Sequence, residues 1–291
     1  RARYMKVLEQ SPKHIGAMVA LSEMSLSAKN NNDAIAWLQR AADANPKAIM
    51  PRMRLIGLHG RLRQFKKALA VAQDMDRNVP NNPSVIEVLG RAETTAGEVI
   101  SAAATFTRLS ALQPKSARVL GLVAGAQIAS KNLPLARDTL KQAIKLDPKF
   151  LPVRIALIEL EARDDNFNRA MKLATALRKT ENSSSVGDML VGDVLMRQKK
   201  FDDATKAYEA GFAKAASSAL AIRLYKARNR AGHTDAALAE LQGWVIANKD
   251  RAGRHALASA YISTGRFEDA IRESEVLLFD DPRNAVLLNN L

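Results

Sequence analysis

The stretch LPLARDTLKQAIKLDP (residues 133–148) places a small alanine, Ala136, early in a helical pattern and closes that pattern with Pro148. Both features recur at one fixed interval, that from Ala102 to Ala136: prolines at Pro12, Pro46, Pro80, Pro114 and Pro148, and alanines at Ala34, Ala68, Ala102, Ala136, Ala170 and Ala204. Two independent ladders with one period mark an internal repeat, whose units are too small to bury an apolar face alone and do so against their neighbours. The expected fold is all-α, a solenoid of helix-turn-helix repeats running through residues 1–291 as one continuous array.

Working outward from that repeat, complete copies fall at 15–48, 49–82, 83–116, 117–150, 151–184, 185–218, 219–250 and 251–284, with half-repeats at 1–14 and 285–291. Each copy holds two apolar stretches at helical spacing, such as Ile15, Met18, Val19 and Leu21 followed by Ile35, Trp37, Leu38 and Ala41. Polar corners at 29–32, 61–64, 96–98, 131–132, 164–166, 198–200, 232–234 and 265–266 part them, and connections this short make the two helices antiparallel. The alanine ladder shortens by one residue from Ala204 to Ala237 and again from Ala237 to Ala270, a loss expected in a turn each time. Where a further proline is due, Asn182 is followed by Ser183, Ser184 and Ser185, a run that reads as a looser corner with a helix N-cap and as the place where the array would hinge. Tyr4 and Val7 at one end, and Val286, Leu287, Leu288 and Leu291 at the other, are apolar faces of half-repeats, through which self-association is expected.

Composition agrees with a folded helical chain: 47% of residues are hydrophobic, only 5% are aromatic, and 14 glycines and 10 prolines are too few for a disordered one. The net charge of +14 raises an acidic partner, nucleic acid or an anionic membrane surface, against the plainer reading of a solvated basic surface. No nucleic-acid partner is expected. Zero cysteines exclude disulfides and thiolate metal sites. The longest apolar run, 119–129, is half a membrane span. The chain opens at Arg1 in a helical pattern without a methionine, so it is read as a fragment.

The pattern resembles the tetratricopeptide repeat over essentially the whole chain. In the copy at 251–284, the family's small residue is matched by Ala258, its tyrosine by Tyr261, its corner glycine by Gly265, its alanine by Ala270 and its proline by Pro282. Other copies depart, with Ile56, Ile158 and Lys226 at the small position. The resemblance implies a right-handed superhelix whose concave face binds partners. GDVLMRQKKFDDATKAYEAGF (192–212), RLYKARNRAGHTDAALAELQGW (223–244) and DPRNAVLLNNL (281–291) further resemble the repeat lipoproteins of the PEP-CTERM/exosortase system. That likeness implies the envelope or periplasm of a Gram-negative bacterium, a lipid anchor outside this fragment, and a part in exopolysaccharide assembly or surface-protein sorting.

Catalytic chemistry finds no support in the residues, and no cofactor or metal is expected. His14, His59, His233 and His255 are scattered over different repeats, Gly121 and Gly125 lack the lysine of a phosphate loop and read as helix-contact glycines, and Asp202, Asp203, Asp280 and Asp281 sit at helix starts and repeat ends. The concave positions implied by the resemblance, 2, 5, 6, 9, 12 and 13 of each first helix, hold Arg54, Arg61, Arg91, Arg118, Arg163, Arg197, Arg223 and Arg230. Met53 and Met189, with Met50 and Met196, share that face, as do the acids Glu23, Glu87, Glu159 and Asp193. All eight cations are arginine although the chain has 19 lysines, and a planar guanidinium suits carboxylate or phosphate. Two readings stand: a recognition surface for protein or an anionic polymer, or arginines paired with the four acids. The lysine and asparagine clamp of peptide-tail adaptors is absent, which disfavours a cytoplasmic adaptor. The repeat region of a larger enzyme, such as a glycosyltransferase, is the other alternative.

Overall fold

The computed structural model describes residues 1–180 and 185–280. Among them are seventeen α-helices and no strand. Internal packing divides the chain into two compact units, Arg1–Ala156 and Leu157–Leu291, where the sequence alone leads to one array. The first unit runs through α1 (Ala2–Gln10), α2 (Ile15–Ser27), α3 (Asn31–Ala44), α4 (Ile49–Arg61), α5 (Phe65–Asn78), α6 (Pro83–Ala96), α7 (Val99–Leu112), α8 (Ala117–Ala129) and α9 (Leu133–Leu146), into α10 (Leu151–Arg163). The second holds the rest of α10, then α11 (Phe167–Thr180), α12 (Val186–Arg197), α13 (Phe201–Lys214), α14 (Ser218–Arg230), α15 (Thr234–Asn248), α16 (Arg251–Ser263) and α17 (Phe267–Asp280). Even-numbered helices are the first of each repeat and odd-numbered ones from α3 the second.

Each pair turns the same corner. The backbone is left-handed at Lys29, Arg63, Gly97, Lys131, Asp165, Lys199, Gly232 and Gly265, each standing the same distance ahead of its ladder alanine. A left-handed residue after the last helical turn lets the next amide reach back and satisfy an orphan carbonyl: Asn30 N donates to Ser25 O and Glu98 N to Glu93 O, each at 2.8 Å. Only three of the eight corners use glycine, which is why the family's glycine is hard to see in most copies. Helix starts are capped by side chains at Asn30, Asn82, Ser116, Asn132 and Ser217. Ser185 does not cap α12: its backbone is already helical (φ −73°, ψ −10°), so the hydroxyl accepts no amide there. Asn182, Ser183 and Ser184, and the end stretch with Pro282, Val286, Leu287, Leu288 and Leu291, lie outside the described residues.

The alanine ladder is the packing seam. Ala34, Ala102, Ala136, Ala170, Ala204, Ala237 and Ala270 are all 0–1% exposed, with Ala68 at 6%. The small position of the first helix is matched in volume by a residue at one constant place in the second, as Gly90 is by Phe106 and Gly192 by Tyr208. A Cβ on Gly90 would stand 2.6 Å from the Phe106 ring, and one on Gly192 would stand 2.3 Å from Tyr208. Ala124 meets the same register as Leu140, whereas Ile56 and Ile158, departures from the family pattern, are matched by Ala72 and Ala174. Volume is exchanged across the seam in the pairs up to Gly192 and Tyr208, as close packing favours. Further on, the register sets Tyr225, rather than the exposed Lys226, at the small position facing Leu241, and Ala258 faces Ser274, so those two pairs do not trade volume in this way. Gly121 is a contact glycine, its Cβ position lying 3.0 Å from Val153, but Gly125 faces open space, so that half of the expectation fails.

Candidate partner-binding face

The residues selected from sequence fall on the first helices, but the structure sorts the eight arginines into two kinds. Arg118 on α8 forks onto Glu87 of α6, with Nη1 and Nη2 donating to the two carboxylate oxygens at 2.8 Å each. Arg91 of α6 adds Nε and Nη2 to the same carboxylate at 3.1 and 2.9 Å. Hydrogen bonds from Arg118, then Arg91, outweigh burial and hold the Glu87 carboxyl down to about 2. Arg54 of α4 pairs with Glu23 of α2. In the second unit, Arg223 of α14 gives Nε and Nη2 to Asp193 of α12 at 2.8 and 3.3 Å, and the buried Tyr208 hydroxyl donates to the same carboxylate at 2.7 Å. In each tie between helices the acid precedes its arginine by 30 or 31 residues, which sets both on one face of successive first helices. Arg54, Arg118 and Arg223 are thus rungs between repeats, and Arg91 joins the Glu87 rung from within α6, so these four follow the second of the two readings.

The other four, Arg61, Arg163, Arg197 and Arg230, are each the last residue of a first helix: α4, α10, α12 and α14. All four are exposed and, among the described residues, have no ion-pair partner. A cation there complements the helix C-terminus while leaving its guanidinium turned to solvent. Glu159 of α10 is the acid without a rung: the places where its arginine would stand are taken by Met189 and Leu190. It keeps solvent access, yet crowding by protein raises its carboxyl above the usual range, and Asp193 raises it further while Arg223 and Arg197 act against both.

Between α4 and α6, on this face of the first unit, lies an apolar hollow of about 260 Å³. Met53, Ile56 and Val88 line it, Gly57 and Gly60 open it, and Arg91 stands on its rim. A Cβ at either glycine would touch nothing within 4 Å. Met53 is exposed, as is Met50. Met189 and Met196 instead pack on the core around Tyr208 and Leu220, as a methionine stripe at helical spacing ordinarily does.

Sequence reasoning missed several buried charges, among them Glu93, Glu161, one near the start of α4 and one near the start of α12. Arg52 is 4% exposed, reaches Asp74 at 2.8 Å and donates to the carbonyl of Ala42 at 3.2 Å, tying α3, α4 and α5. Asp188, 2% exposed, is held by Lys214 and Arg178. Arg52 lies 22 residues from Asp74 and Asp188 lies 26 from Lys214, spacings that no simple motif flags. His14 accepts the Ala17 amide as an N-cap, and the His59 ring lies 2.8 Å from the Gln64 amide oxygen. No group of His, Asp and Glu among the described residues is placed to hold a metal, and no helix there is long and apolar enough to cross a membrane.

Residues 86–227 match the family described as a tetratricopeptide repeat-like domain. Solved structures give the same fold: a tetratricopeptide repeat protein from Parabacteroides merdae aligns with TM-score 0.63 at 14% identity, over 84% of this chain and 98% of that one. MamA (41-end) from Desulfovibrio magneticus aligns at 0.50 and 18% over 58% and 96%, and the APC/C hetero-tetramer Cut9–Hcn1 at 0.50 and 14% over 98% and 56%. No curated protein matches the chain. The chain is an α-solenoid of helical repeats that shares its fold with these tetratricopeptide repeat structures.

Proposed function

We propose that this chain is a non-catalytic scaffold that holds a segment of a partner polypeptide along the first-helix face of its repeats. The observation that carries the reading is the hollow between α4 and α6. At about 260 Å³ it is smaller than the roughly 300–1,000 Å³ of small-molecule sites and suits one anchoring side chain, with Arg91 at the rim to orient the segment that bears it. Fold likeness to Cut9–Hcn1, itself a hetero-tetramer, is in keeping with a scaffold. From the likeness of 192–212, 223–244 and 281–291 to PEP-CTERM-system lipoproteins, we infer an envelope setting, with lipid anchoring in the full-length protein and a part in exopolysaccharide biosynthesis or export and PEP-CTERM protein sorting.

The test places a photo-crosslinking amino acid at Met53 of the full-length protein in its native cells. Polypeptide adducts in the membrane fraction, lost in Gly57→Leu, are the expected result. A Cβ at Gly57 meets nothing within 4 Å, so Gly57→Leu should grow into the hollow without a fall in melting temperature. Adducts unchanged by Gly57→Leu would overturn the binding site, and recovery of the protein from the cytosol would overturn the envelope setting.

A further inference from the structure

Within the second unit lies a larger hollow, of about 570 Å³, bounded by second helices α13 and α15 and floored by α14. It is distinct from the first-helix face. Its walls are Phe212, Tyr225, Leu241 and Trp244, with Leu224 beneath. The Phe212 and Trp244 rings meet edge to face with centroids 5.2 Å apart, and Trp244 Nε1 donates to Asp250 Oδ2 at 2.7 Å. That bond fixes the indole, so the wall is set before anything binds. Gly243 opens the hollow, since a Cβ there would meet nothing within 4 Å.

The rim is acidic on a chain whose net charge is +14. Arg228 lies between Glu209, at 2.7 Å, and Glu240, both of which are about half exposed. One guanidinium serves two carboxylates, so the rim keeps one net negative charge. Glu209 Oε2 and Glu240 Oε1 have no hydrogen-bond partner among the described residues. A polar hollow adjoins across the same three residues and adds Asp202 and Lys206, whose charges offset each other, so the excess negative charge of the rim rests on Glu209 and Glu240. An apolar, aromatic-walled hollow under a negative rim selects an occupant with apolar side chains and an adjacent cation, through burial, ion pairing and contact of that cation with ring faces.

We propose that this hollow docks an apolar segment of a partner polypeptide carrying lysine or arginine beside its apolar residues. The probe is a short amidated peptide of leucine, phenylalanine and lysine, compared with the same peptide bearing glutamate for lysine, and with octyl glucoside as a neutral small amphiphile. The chain has two tryptophans, so Trp37→Phe leaves Trp244 as the only indole and its emission as the readout. Saturable binding of the basic peptide is expected, at least tenfold tighter than the acidic one, and at least tenfold weaker in Gly243→Leu, with no fall in melting temperature. Glu209→Gln with Glu240→Gln should bring the two peptides together in affinity. Should Gly243→Leu lose helix content, Ala247→Phe blocks the same hollow from its exposed edge. Equal affinity for the two peptides, binding unaffected by the filling variants, or occupancy by octyl glucoside alone would each overturn the proposal. Gly57→Leu, in the first unit, should change none of these readings.

Discussion

Gly90 lacks a side chain where Phe106 needs the room, and Ile56 has a large one where Ala72 leaves it. Volume at the seam is therefore a property of the residue pair. Gly90→Ile alone drives a branched side chain into a ring 2.6 Å from its Cβ and should cost about 1–3 kcal/mol as overpacking. Phe106→Ala alone empties a buried site and should cost about 3–5 kcal/mol. Together they recreate the Ile56 and Ala72 arrangement, so the double variant should be more stable than Phe106→Ala, with a coupling readable by urea unfolding of the four proteins. Additive losses would show that the two positions do not share the space. At this scale the sequence was legible in its period and not in its exceptions. Ile56 and Ile158 look like defects until the facing alanines, Ala72 and Ala174, are set beside them.

Helix α6 carries two carboxylates with opposite electrostatic fates, Glu87 and Glu93. Glu87 is held down to about 2 by Arg118 and Arg91, below its unfolded value, so its stabilisation is present above about pH 4.5 and is lost as pH falls towards 2. Glu93 is buried and its carboxyl is raised, chiefly by desolvation, so its contribution to the fold is fully present below about pH 4.5 and is lost as pH rises through its higher folded value. Glu87→Gln should therefore cost about 1–2 kcal/mol at pH 7, discounted because both arginines are half exposed, with the difference shrinking in acid. Glu93→Gln should be neutral or stabilising at pH 7, and Gln127 already occupies the same place one repeat later. Denaturant midpoints at pH 7 and pH 3 check both, and matching pH profiles for the two variants would refute the assignment. The rungs were partly written in the sequence, as an acid one repeat before an arginine: Glu23 before Arg54, Glu87 before Arg118 and Asp193 before Arg223. The arginine-only face invited a ligand because the partner acids were counted but not placed in register. Arg52, Asp188 and the hollow at Gly243 were not legible, because burial and open space depend on which helices meet.

Taken over the second unit, the cations left free by the rungs form a series: Arg163, Arg197 and Arg230 end three successive first helices, all exposed and without ion-pair partners among the described residues. Packed helices stand about 8–10 Å apart and an extended chain advances about 3.3 Å per residue, so an acidic residue at every third position of a bound peptide would meet one arginine per repeat. We expect such a peptide to bind more tightly than a scramble of the same composition, and its affinity to fall with added salt, since the contacts are exposed ion pairs. Reversing the three arginines together to glutamate should abolish binding and leave helix content unchanged, because none of them ties one helix to another. Reversing Arg91 and Arg118 instead would cut the Glu87 rung and report on stability. The control is reversal of Lys66, Lys67 and Lys172, exposed on second helices, which removes the same net charge. If control and test weaken binding equally, the attraction belongs to the overall charge of +14 and the helix-end arginines serve their own helix termini alone.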